Sequence, residues 1–142
     1  MDEHEFRDMF EQRVALSCVF HRLILSSRGI CRHAQRMNLA EREAVACQNS
    51  LGHQKCTQFT ACMSEHARFA IRKMDDSPMT HAQLLKVQLG SLNGIREVSG
   101  LDDEDILDLI VHAEGKYKGI DQLPFEVIAR AIALVRVRGG KH

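Results

Sequence analysis

The stretch NLAEREAVACQNSLG, residues 38–52, decides what kind of fold this chain takes. Asn38 stands where it can cap a helix, and Glu41, three residues on, can reach back to the cap in the manner of a capping box. Ala40, Ala44, Cys47 and Leu51 then recur at spacings of three and four, which puts them on one stripe of a helix that ends near NSLG. Read this way, the middle of the chain is helical, and so is everything around it.

Upstream, Phe6, Phe10, Val14, Cys18, His21 and Leu25 keep the same helical spacing, and no alternating pattern competes with them. They predict a first helix over about residues 3–27, closed by Gly29 in the left-handed conformation glycine adopts at little cost. A short link around Cys31 to Met37 follows. Downstream, Cys56, Phe59, Met63, Ala67, Ala70 and Met74 form the inner face of a helix over about 53–74. Ser77 and Pro78 suit the cap and first position of the next, which runs to about Val98 and buries Leu84, Leu85, Leu92 and Ile95. Gly90 and Gly94 within it form a G-x-x-x-G pair. No strand precedes them and no Gly-Lys-Ser/Thr follows, so they indicate close approach of another helix rather than a phosphate loop.

The acidic run Asp102, Asp103, Glu104 and Asp105 lies where a helix N-terminus favours negative charge, and it lacks the ligand spacing of a calcium loop. A last helix begins near Pro124 and buries Phe125, Ile128, Ile132 and Val135, leaving the basic, glycine-bearing tail RVRGGKH mobile. The expected fold class is all-α: a compact bundle of five or six helices forming a single domain over residues 1–142.

The 142 residues carry 44% hydrophobic and 27% charged residues with two prolines, the composition of a globular domain rather than a disordered one. Formal net charge is zero, but it is unevenly spread. Between Arg13 and Lys73, ten Lys or Arg face only Glu41, Glu43 and Glu65, whereas from Asp75 onward eleven acidic residues outweigh eight basic ones. The chain therefore divides into a basic half, 1–74, holding all five cysteines, and an acidic half, 75–142. The N-terminus MDEHEFRDMFEQ is acidic and lacks the apolar core of a secretory signal. The most apolar stretch, VALSCVFHRLIL, is too short for a membrane span and is broken by His21 and Arg22. A reducing cytoplasm is the expected address, where thiols are free, metal-bound or redox-active rather than paired.

The cysteine spacing is C-x12-C-x15-C-x8-C-x5-C, with no C-x2-C pair. Structural zinc knuckles and thioredoxin-like motifs both need that closeness, so neither is indicated by the cysteines alone. Dispersed thiols can still converge if separate elements each present one. Cys56 and Cys62 lie about 120° apart around a helix and roughly 9 Å apart along it, too far to serve one ion. The helical stripes instead select Cys18, Cys47 and Cys56 as inward-pointing, with Cys31 near a helix start where it can join them. Four thiolates among Arg22, Arg28, Arg32, Arg36 and Arg42 suit an iron–sulfur cluster of the 4Fe–4S type. The competing readings are four thiols that simply share a core, a thiol switch, or zinc as the second-choice metal. Cys62, His21, His53 and His66 are secondary ligand candidates, the last two because His53–Cys56 and Cys62–His66 each share a helix face. His4, His33, His81, His112 and His142 show no pattern.

No G-x-S-x-G elbow, H-E-x-x-H, P-loop or dinucleotide fingerprint is present, so no enzyme activity and no catalytic residue is assigned. The expected function is a small cytoplasmic iron–sulfur protein, a redox or oxygen sensor or electron-transfer accessory with a protein partner. The alternative is a metal-free helical interaction module, with nucleic-acid affinity through residues 13–73. Against that, the cations are spread over several helices, aromatics number only seven, and no recognition helix stands out.

Overall fold

A computed structural model describes residues 3–5, 7–8, 16–39, 41–73, 75, 77–102 and 104–136. It corrects the all-α expectation at the stretch on which that expectation turned. Residues 38–47 are not helical: β1, Ala34–Leu39, pairs antiparallel with β2, Arg42–Cys47, in the register Ala34↔Cys47 through Leu39↔Arg42. Asn38 and Glu41 form no capping box: Asn38 lies in β1, and Glu41 is in the turn just before β2. The molecule is mostly helical with one two-stranded sheet.

The hairpin forms because tertiary contacts override local preference, as commonly happens to residues of middling strand propensity. A period of two hides beneath the period of 3.6. Met37, Leu39, Ala44 and Ala46 share one face of the hairpin and make a small apolar cluster of their own. Ala34, Val45 and Cys47 lie on the other face, toward the main core. The chain just upstream supplies a third edge: the Cys18 N–H donates to the Val45 carbonyl (2.9 Å) and the Cys47 N–H to the Leu16 carbonyl (2.8 Å).

That pairing also breaks the expected first helix. Phe6, Phe10 and Val14 lie outside the described residues; residues 3–5 and 7–8 are helical, but the chain is extended at 16–18 and turns at 19–20. Helix α1 is only His21–Leu25. The residue in the left-handed region after it is Ser27 (φ 61°), not Gly29.

The remaining helices match their expected places more closely. Helix α2, Ser50–His66, starts earlier than the spacing predicted, because the Asn49 side chain accepts from the Gly52 N–H (2.9 Å); NSLG begins a helix rather than ending one. Helix α3, His81–Ser99, is capped by Thr80 and Gln83 in a reciprocal capping box, not by Ser77 and Pro78. Helix α4, Ile106–Tyr117, is capped by Asp105, the last residue of the acidic run. A 3₁₀ turn, Ile120–Gln122, leads to helix α5, Phe125–Leu134. Most of the tail, residues 137–142, lies outside the described residues.

The main core gathers Phe20, Leu23, Phe59, Met63, Leu92, Ile95, Leu109, Ile110, Ile128 and Ile132. Helix α3 is its axis, and Gly90 and Gly94 let α5 approach closely. A methyl at Gly90 would fall on the backbone of Ile132, and one at Gly94 would lie 2.9 Å from the Ile128 Cα. The G-x-x-x-G pair is thus a helix-packing device, as its sequence context indicates. Among the described residues, no helix is long and apolar enough to cross a membrane.

Candidate functional site: a four-cysteine cavity

Cys18, Cys31, Cys47 and Cys56 line one enclosed cavity, with Val19, Phe20, Ala34, Gly52, Ile106 and Leu107 among its other walls. The four come from four different pieces of backbone. Cys18 lies on the edge segment before α1, Cys31 in the link to β1, Cys47 at the end of β2, and Cys56 two turns into α2. The pairing of 16–18 with β2 sets Cys18 and Cys47 on the same face, diagonally across two chains. Cys47 reaches the cavity from the end of a strand, not from a helical stripe through 40–51.

Cys31 is positioned by the start of α4. The Ile106 N–H donates to the Ile30 carbonyl (2.9 Å), and Asp105 accepts from the Arg32 N–H (2.7 Å) while capping its own helix through the Asp108 N–H (3.0 Å). Arg32 also pairs with Asp108. Cys31 is thereby held between two backbone attachments to α4. The α2 wall approaches α4 just as closely: a methyl on Gly52 would lie 2.6 Å from Leu107 Cδ2, and Lys55 pairs with Glu114 across the same seam.

The cavity is dry in character and small. Its volume is about 20 Å³, room for one water-sized sphere, and its walls are almost wholly apolar. Burial pushes the Cys18 thiol up to about 11 and the Cys56 thiol up to about 12, with the neighbouring sulfurs adding to the shift, and it raises Cys31 as well. Without metal, these three thiols are neutral at physiological pH, which argues against a switch that works through a low-pKa nucleophile. Several features nevertheless favour negative charge on the sulfurs. The Phe20 N–H faces Cys18, and the His33 and Leu107 N–H groups face Cys31, each stabilising a thiolate. The first turns of α2 and α4 also border the cavity with the positive ends of their dipoles. The Cys47 thiol donates to the Asn49 carbonyl (3.3 Å).

Two histidines line the cavity beside the cysteines. His53 is one of the secondary candidates, and its Nε2 lies 3.0 Å from the Ser17 carbonyl, to which it can donate. His33 showed no pattern in sequence, although it follows Cys31 by two residues. Its Nε2 is 3.5 Å from Asn49 Nδ2. The other secondary candidates are elsewhere. His21 donates through Nδ1 to the Cys18 carbonyl (3.1 Å) but faces a separate groove. Cys62 packs on the far part of α2, where burial and Asp121 raise its pKa. His66 stacks on Phe125 with ring centroids 3.6 Å apart.

No family model, curated protein or solved structure matches this chain. The chemistry of the cavity therefore rests on its own residues. Among the described residues, no three His, Cys, Asp or Glu side chains come together closely enough to hold a single metal ion. A tetrahedral zinc site would need its sulfurs about 3.8 Å apart, from zinc–sulfur bonds of about 2.3 Å. The cation excess of the basic half is largely answered within the molecule. Of the ten cations between Arg13 and Lys73, Arg32, Arg36, Arg42, Lys55, Arg68 and Lys73 each pair with a carboxylate, which reduces the field available to a phosphate backbone.

Proposed function

We propose that this protein holds an iron–sulfur cluster through Cys18, Cys31, Cys47 and Cys56 and acts in the cytoplasm as a redox or oxygen sensor, signalling to a protein partner. One observation carries the reading: four cysteines that share no local motif line one cavity, while the fifth, Cys62, lies outside it. The N–H groups against Cys18 and Cys31 add support, since hydrogen bonds to sulfur stabilise such clusters and tune their potentials.

The void of about 20 Å³ is smaller than a cluster, so loading requires the thiols to lose their protons and move outward. The pieces that must yield are the 16–18 edge, the link holding Cys31 and the first turns of α2. A change in cluster state is then a change in how the hairpin, α2 and α4 are tied together. That coupling favours sensing over simple electron transfer.

The test is anaerobic purification followed by the visible spectrum and by iron and sulfide analysis. The reading expects a coloured protein with stoichiometric iron and sulfide, and loss of both in Cys47→Ser. A folded, colourless sample free of iron after anaerobic reconstitution would refute it.

A further inference from the structure

A second concavity lies on the other side of the Ser17–Cys18 segment, a groove of about 720 Å³. That size is in the range of small-molecule sites. Its floor is apolar, with Leu25, Ala44 and Val45 from α1 and β2. One end carries Arg22, His21 and His81. The Arg22 Nε donates to His81 Nδ1 (2.8 Å). Among the described residues Arg22 pairs with no carboxylate, and its two terminal nitrogens remain as donors. The other cation of the groove, Arg42, answers Glu3. His21 turns its Nδ1 to the Cys18 carbonyl (3.1 Å). Glu41 and Glu43 also line the groove, and Glu43 is held by Arg36.

We propose that this groove binds a small amphiphilic anion, its carboxylate or phosphate head on the Arg22 guanidinium and its aliphatic body along Leu25, Ala44 and Val45. A guanidinium with two free donors matches the paired oxygens of either head, and a charge-assisted contact of this kind is stronger than a neutral one. The apolar floor explains why an inorganic ion alone is not the best fit. The site shares no lining side chain with the cysteine cavity.

The test is a titration of the full chain with octanoate, octyl phosphate and uncharged octanol, followed by amide and Arg22 Nε–H chemical shifts. The expected result is saturable movement of the Arg22 and Val45 signals with one or both anions, and none with octanol. The tighter of the two anions identifies the head group. Arg22→Gln should weaken binding at least about tenfold, the loss of one charge-assisted contact, while keeping a folded spectrum. Leu25→Glu, which places a repelling charge on the floor and leaves Arg22 intact, should also abolish it. No saturable shift, octanol binding as tightly as octanoate, or unchanged affinity in either folded variant would overturn the proposal.

Discussion

Replacing Gly90 by alanine sets two opposing effects against each other, and the structure says which wins. Alanine is favoured over glycine inside a helix by about 1 kcal/mol. The added methyl, however, would fall on the Ile132 Cα and lie 2.8 Å from its Cγ1. Overpacking of a close-packed core costs about 1–3 kcal/mol, and the upper end applies because the obstructing atom is backbone that cannot rotate away. The net expectation is a loss of about 1–2 kcal/mol, a large fraction of the 5–15 kcal/mol that holds an ordinary domain together. Gly94→Ala, whose methyl would lie 2.9 Å from the Ile128 Cα, should lose less. Gly115→Ala in α4, where nothing lies within 4 Å, should gain about 0.5–1 kcal/mol. Urea unfolding of the three variants should rank them Gly115→Ala, Gly94→Ala, Gly90→Ala from most to least stable. Because α5 forms no wall of the cysteine cavity, all three should keep the wild-type content of any bound iron. Gly90→Ala as stable as Gly115→Ala would refute the close α3–α5 approach.

Four further outcomes follow from the geometry. In the metal-free protein, Cys18 has its pKa at about 11 against an ordinary 9.0, so its thiolate fraction at pH 8 is about 100-fold below that of a free thiol; alkylation followed by mass spectrometry should find it correspondingly slow, and Cys56 slower still. The same shifts leave stability intact below about pH 9 and erode it above, as the unfolded thiols ionise and the buried ones do not, and a flat urea midpoint from pH 8 to 10.5 would contradict this. Asp105→Ala removes both the α4 cap and the acceptor for the Arg32 N–H; it should cost about 1–2 kcal/mol and lower cluster retention, whereas Asp105→Asn should retain most of each, and equal retention by both variants would sink the positioning role. Asp75 is held well below the usual carboxylate range by hydrogen bonds from Lys73 and Ser77, so its stabilising effect is present above about pH 4 and lost as pH falls; Asp75→Asn should flatten the acid limb of the stability profile, and a limb of unchanged slope would contradict it.

What could be read from the chain alone divides along the line between long, strongly periodic segments and short ones. Helices α3 and α5 follow from their apolar stripes and α4 from the acidic run at its start, and Gly90 and Gly94 announce their own packing. The hairpin was hidden because alanine, arginine and glutamate are good helix formers and a few residues fit both periods. What decides for strands is the remote edge at 16–18, whose pairing no local window contains. The same remoteness governs the cavity. Cys62 could be separated from Cys56 by helix geometry alone, and Cys18, Cys31, Cys47 and Cys56 were selected together. The neighbours that shape their chemistry were not: His33 carries no periodic signal, and Asp105 gave only its helix-dipole role, not its hold on the Cys31 link.

The most direct measurement is iron and sulfide per chain in five single Cys→Ser variants, purified without oxygen and checked for folding by circular dichroism. Cys62→Ser should keep wild-type content, and Cys18→Ser, Cys31→Ser, Cys47→Ser and Cys56→Ser should each show strongly reduced content. Equal content across all five folded variants, or none in the wild type, would contradict it.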